Sequence, residues 1–151
     1  MNTNNKSPYH LFCFVYLGFA QLSNKDFLEK EIDEIQKKIA IWMNLNPSNI
    51  LEFNKIMDET INWYQSIKEK ERLESLLEIT RHINGIEGFK LENKKTFLSN
   101  IRDIAVADGR FNSDEKHLHD RIAIELGINV ITIDKNTRKN LVTKYEKRIR
   151  S

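Results

Sequence analysis

The sequence predicts an all-α fold, a single compact domain of about seven helices spanning residues 1–151, and three observations carry that prediction. Only five glycines and two prolines occur, and they fall near the breaks between long Leu/Ile/Lys/Glu-rich stretches. Within those stretches apolar residues recur three and four positions apart, the period of an amphipathic helix. With 40% hydrophobic and 30% charged residues over 151 positions, the chain suits one domain with a single core rather than a disordered segment. Strands have almost nowhere to form apart from the β-branched run Val130-Ile131-Thr132-Ile133.

Ser7-Pro8 supplies an N-cap and a first-turn proline for the first helix, which is apolar on nearly all sides to about Leu22 and therefore belongs at the centre. Its aromatics Phe12, Phe14, Tyr16 and Phe19 read as core. The second helix, capped by Ser23 or Asn24, sets Leu28, Ile32, Ile35, Ile39 and Trp42 opposite a Lys/Glu face and ends at Asn46-Pro47. A third begins near Ser48 with Leu51, Ile56, Ile61, Tyr64 and Ile67 inward, and Trp63 reads as core or interface. After a charged turn comes a fourth with Leu73, Leu76, Leu77, Thr80 and Ile83, closed by Gly85 and Gly88. The fifth runs from about Asn93 to Ala107 with Phe97, Leu98, Ile101, Ile104 and Ala105 inward. The sixth spans Ser113 to Leu126 and stops at Gly127. The seventh starts near Asp134 and carries the apolar stripe Leu141, Val142, Tyr145 and Ile149.

The formal charge of +2 hides an asymmetry. Residues 134–151 hold seven basic side chains against Asp134 and Glu146, a local net of +5 that leaves −3 for the rest. Such a helix can meet nucleic acid, an anionic surface or an acidic partner, but its apolar stripe makes packing the favoured reading. Cys13 is the only cysteine, so no intrachain disulfide forms and a reduced, cytoplasmic setting is the default. Leu11 to Ala20 has the look of a signal-peptide core, yet only Lys6 and His10 precede it as basic residues, and it is too short to span a bilayer.

The segment Phe97 to Ile128 carries the most specific pattern. A helical run breaks at Asp108-Gly109, turns through Arg110-Phe111-Asn112-Ser113 and restarts at Asp114-Glu115. Asp108, Gly109, Phe111 and Glu115 fit four positions of an EF-hand loop, but Ile104 and Val106 would fill its first two ligand positions and cannot coordinate a cation. An EF-hand is excluded. Asp108, Asp114 and Glu115 remain candidates for a hard oxygen site for calcium or magnesium. The favoured alternative is architectural, with Gly109 making a left-handed turn and Asn112 and Glu115 forming a capping box. His117 and His119 point apart at a spacing of two, form no zinc pattern and read as surface histidines.

The run Ile104-Ala105-Val106-Ala107-Asp108-Gly109-Arg110-Phe111-Asn112-Ser113-Asp114-Glu115 resembles the alanine-rich helix end, Asp-Gly turn and following glutamate of TerB-like proteins, the tellurite-resistance family, and Leu126-Gly127-Ile128 resembles that family's helix exit. The resemblance implies a TerB-like helical bundle of two related helix–turn–helix units, association with tellurite or chemical stress, and divalent-cation binding. Laid without a gap on Val106 to Glu115, Leu17 to Asp26 supplies Phe19-Ala20 where the second unit has Asp-Gly, so the first unit lacks the turn acid.

No phosphate loop, nucleophile elbow, HExxH pattern or catalytic triad appears, so the expectation is a non-enzymatic binding or scaffold protein with protein partners and room for a homodimer. The competing class binds nucleic acid or an anionic surface through Lys135, Arg138, Lys139, Lys144, Lys147, Arg148 and Arg150.

Overall fold

The computed structural model describes residues 5–24, 29–109 and 111–128, and within them the chain is helical with no strand. Six α-helices follow one another: α1 (Pro8–Asn24), α2 (Glu29–Trp42), α3 (Ile50–Ser66), α4 (Arg72–Asn84), α5 (Leu91–Ala105) and α6 (Ser113–Glu125). Short 3₁₀ turns at Glu69–Glu71 and Val106–Asp108 lead into α4 and out of α5. The seventh helix and the run Val130 to Ile133 lie outside the described residues.

The first helix is the axis of the fold, as its uniform apolarity requires. Ser7 caps it, its hydroxyl facing the His10 amide at 3.4 Å and the imidazole Nδ1 at 2.8 Å. Cys13 through Leu17 are fully enclosed, and every other α-helix packs against α1. Full burial of each such apolar side chain contributes about 1.5–3 kcal/mol, so this one element anchors the core.

Two aromatic clusters pack on different faces of α1. Phe12 meets Trp42, Phe89 and Phe97 at ring distances of 5.0, 5.4 and 5.6 Å, and the Tyr16 hydroxyl accepts hydrogen bonds from Trp42 Nε1 at 2.9 Å and Asn100 Nδ2 at 3.0 Å. Phe14 instead meets Trp63 at 4.4 Å and Tyr64 at 5.3 Å. Tyr64 donates its hydroxyl to Gln21 Oε1 at 2.7 Å, and Arg72 lies over its ring at 4.9 Å. Gly18 is what lets α4 come close, since a Cβ there would stand 2.7 Å from Leu76 Cδ1.

Several sequence expectations need correction. Ser23 and Asn24 do not cap α2 but belong to the last turn of α1, where the Ser23 hydroxyl donates back to the Phe19 carbonyl. The end of α2 is set by Asn44 in the left-handed region (φ 51°), with Leu45 N–H donating to the Ala40 carbonyl at 2.9 Å, ahead of Asn46-Pro47. Leu51 is 81% exposed, because the α3 stripe is phased on Phe53, Ile56, Met57, Thr60 and Tyr64. Leu73 is 41% exposed at the start of α4, while Leu76, Leu77, Thr80 and Ile83 are buried as expected. Glu31 is fully enclosed although it belongs to the expected polar face of α2. None of the described helices is long and apolar enough to cross a membrane.

Candidate functional site at the Asp108-Gly109 turn

The apolar period of α5 runs cleanly through Phe97, Leu98, Ile101, Ile104 and Ala105, all buried, and then tightens into the Val106–Asp108 turn. Gly109 stops it at φ 92°, a conformation that suits glycine, and its N–H donates to the Val106 carbonyl at 2.8 Å. Helix α2 packs along this turn. Phe111 is half-buried against the core and meets the His119 ring edge-on at 6.0 Å.

Asn112 then caps α6 in the reciprocal way its spacing predicts. The Asn112 side-chain oxygen accepts from Glu115 N–H at 2.8 Å, and Glu115 Oε1 accepts from Asn112 N–H at 2.9 Å. Glu115 itself is fully enclosed. A carboxylate in that position is stabilised by the exposed amides and positive end of the helix as well as by the cap.

His119 lies one turn on, and it is a buried residue, 1% exposed, not the surface histidine expected. The Arg102 guanidinium on α5 faces its Nε2 at 3.3 Å and can only donate, so the ring proton resides on Nδ1 and donates to Asp120 Oδ1 at 3.0 Å. This relay ties α5 to α6 beneath the turn. His117, by contrast, is exposed.

Of the candidate ligands, Asp114 is exposed and borders a groove formed by α1, α4 and α6, together with His117 and Arg121. Glu115 is enclosed in the cap, so the two neighbouring carboxyls do not converge. The Asp108 side chain lies outside what the structure describes. Among the described residues no group of three or more His, Cys, Asp or Glu side chains could hold a metal ion. Hard cations take six to eight oxygens, which Asp114 and Glu115 as placed do not begin to assemble.

The gapless internal repeat also fails in three dimensions. Leu17 to Asn24 are continuous helix within α1, whereas the matching residues of the second unit make the turn. Glu31 on α2 and Glu115 on α6 are both fully enclosed. Sequence reasoning missed Glu31, Arg102 and Asp120. Glu31 lies five positions beyond Asp26, the residue the gapless alignment sets on Glu115, and nothing in the residue pattern singles out Glu31, Arg102 or Asp120.

Compared with known protein families, characterised proteins and solved structures, the chain matches none.

Proposed function

We propose that the chain is a non-enzymatic, TerB-like binding or scaffold module associated with tellurite or other chemical stress. The observation that supports this reading is the helix–turn–helix from Leu91 to Glu125, where the residues that carry the resemblance serve architecture. Gly109 reverses the chain, Phe111 anchors it, and Asn112 and Glu115 close the cap. The result is a rigid frame suited to presenting surfaces to a partner. Loss of the protein from its host should raise sensitivity to tellurite, and restoration by the wild-type chain should reverse it. Unchanged sensitivity in the deletion would remove the stress association.

A second reading adds a divalent cation at Asp108, Asp114 and Glu115. The fully enclosed Glu115 carboxyl beside the turn favours it, and the separation of Asp114 from Glu115 weighs against it. Calorimetry with calcium and magnesium decides the matter. Binding heat that is lost in both Asp108→Asn and Glu115→Gln with helix content intact would establish the cation site, and no heat with wild type would leave the cap as the whole role of Glu115. Binding of polyanions through the basic residues between 134 and 151 is the competing class, and those residues lie outside the described structure.

A further inference from the structure

We propose that the groove between the end of α3 and the first turns of α4 binds a linear aliphatic polyamine. The groove has a volume of about 570 Å³, the size of a small-ligand site. Trp63 and Ile67 at the end of α3 form its apolar wall, and Glu71, Glu74, Ser75 and Glu78 line the other side.

Ser75 marks the groove as built for a polar occupant. It is 7% exposed and lines the groove, yet among the described residues its hydroxyl has no hydrogen-bond partner. Thr80 on the same helix satisfies its hydroxyl by donating to the Leu76 carbonyl at 2.8 Å, a bond that Ser75 does not make to Glu71. An enclosed hydroxyl left open toward a groove is matched by a hydrogen-bonding group of a ligand.

The electrostatics select a cation. The described lining sets three carboxylates against the single ammonium of Lys68, a net charge of −2. Glu74 shares Arg81 with Glu125, at 3.5 and 3.2 Å, while Glu71 and Glu78 have no ion pair among the described residues. The groove also opens at the C-terminal end of α3, whose dipole favours positive charge. Trp63 is held by Phe14 at 4.4 Å and already draws the Lys6 ammonium, itself outside the lining, to 5.2 Å from its ring.

The spacing of the acids selects the kind of cation. Glu71, Glu74 and Glu78 follow one another at three and four residues, so they share one face, with about 4.5 and 6 Å of rise between them. A linear triamine with three- and four-carbon spacers sets its nitrogens about 5 and 6 Å apart, given single bonds of about 1.5 Å. One such molecule brings an ammonium to each carboxylate and lays its methylenes on Trp63 and Ile67, with the Ser75 hydroxyl accepting from an ammonium. A metal ion needs oxygens converging on one point, whereas this row spreads them over about 10 Å, and no group among the described residues converges to hold one.

The probe is spermidine, titrated into the full chain by calorimetry in about 0.15 M salt. One molecule should bind per chain. Glu71→Gln combined with Glu78→Gln should weaken binding about tenfold with helix content unchanged, and putrescine, which spans a single interval, should bind about tenfold more weakly than spermidine. In a Trp42→Phe chain the emission of the remaining Trp63 should change in step with the heat. No heat with wild type overturns the proposal, and so does binding that the double variant retains. Displacement by magnesium at equal concentration overturns it as a diffuse counterion effect, and unaltered Trp63 emission by placing the ligand elsewhere. A lysine-rich peptide that binds more tightly than spermidine overturns it too, since the occupant is then a protein.

Discussion

Lys38 of α2 donates to Asp103 of α5 at 2.8 Å while Glu34, one turn earlier, holds the same ammonium at 3.1 Å. Partial burial disfavours the charge, but the two carboxylates outweigh it and hold the Lys38 pKa above its ordinary value. A group whose pKa is raised on folding stabilises the fold fully below its unfolded pKa, near 10.4 for lysine, and that contribution is lost as pH rises through the folded value. Asp103 is half exposed, so the neutral-pH gain is about 0.2–1 kcal/mol. Lys38→Met should therefore cost that much at pH 7, and the difference from wild type should shrink in urea titrations taken progressively above pH 10. A gap that stays constant across that window would refute the linkage.

Burial pushes the Cys13 thiol up to about 12, with only partial relief from the Thr60 hydroxyl. The thiolate is the reactive form, so the native protein should resist alkylation and disulfide reagents at pH 8. One equivalent per chain should react in denaturant. Rapid native labelling would mean that α1 opens far more readily than its enclosure implies.

Gly18→Ala sets two effects against each other. Helix propensity favours alanine by about 1 kcal/mol, while forcing a methyl against the enclosed Leu76 costs typically about 1–3 kcal/mol. With the contact at 2.7 Å, the net should be destabilising, and Leu76→Val should recover part of the loss as a measurable coupling. A stabilised Gly18→Ala protein would show that α1 and α4 have slack.

Phe14 is fully enclosed between Trp63 and Tyr64, so Phe14→Ala should cost about 3–5 kcal/mol in chemical denaturation. A loss below about 1 kcal/mol would place the ring outside the cooperative core.

The cap at α6 gives a graded series. Asn112→Ala should cost about 1 kcal/mol by stranding the Glu115 amide, and Glu115→Ala a similar amount. Glu115→Gln keeps an acceptor for Asn112 N–H and should retain more stability than Glu115→Ala. Equal losses in the two Glu115 variants would show that charge, not the hydrogen bond, matters there.

The helices were legible wherever one apolar phase ran unbroken. Phe97, Leu98, Ile101, Ile104 and Ala105 are buried as their spacing predicts, and Gly109 and Gly127 adopt the left-handed turns expected of them. The reciprocal cap of Asn112 and Glu115 was equally readable, because it depends on four consecutive residues. Leu51 failed for a geometric reason: it precedes Phe53 by two residues, about 200° around the helix from the face that α1 covers. His119 was misjudged because its partner Arg102 is on another helix, and a lone sequence window does not show that a polar side chain has a partner to bury against. Glu31 escaped for the same reason, as its enclosure follows from tertiary packing against a helix that its own surroundings in sequence do not specify.

The two tryptophans turn the central helix into an instrument. Trp42 is bonded to Tyr16 on the α2 and α5 side, whereas Trp63 stacks near Phe14 on the α3 side with the Lys6 ammonium 5.2 Å from its ring. Each therefore reports optically on a different set of neighbours of one helix. Single-tryptophan variants retaining either indole should unfold with superimposable fluorescence transitions, since neither set of neighbours can let go of α1 without exposing the other.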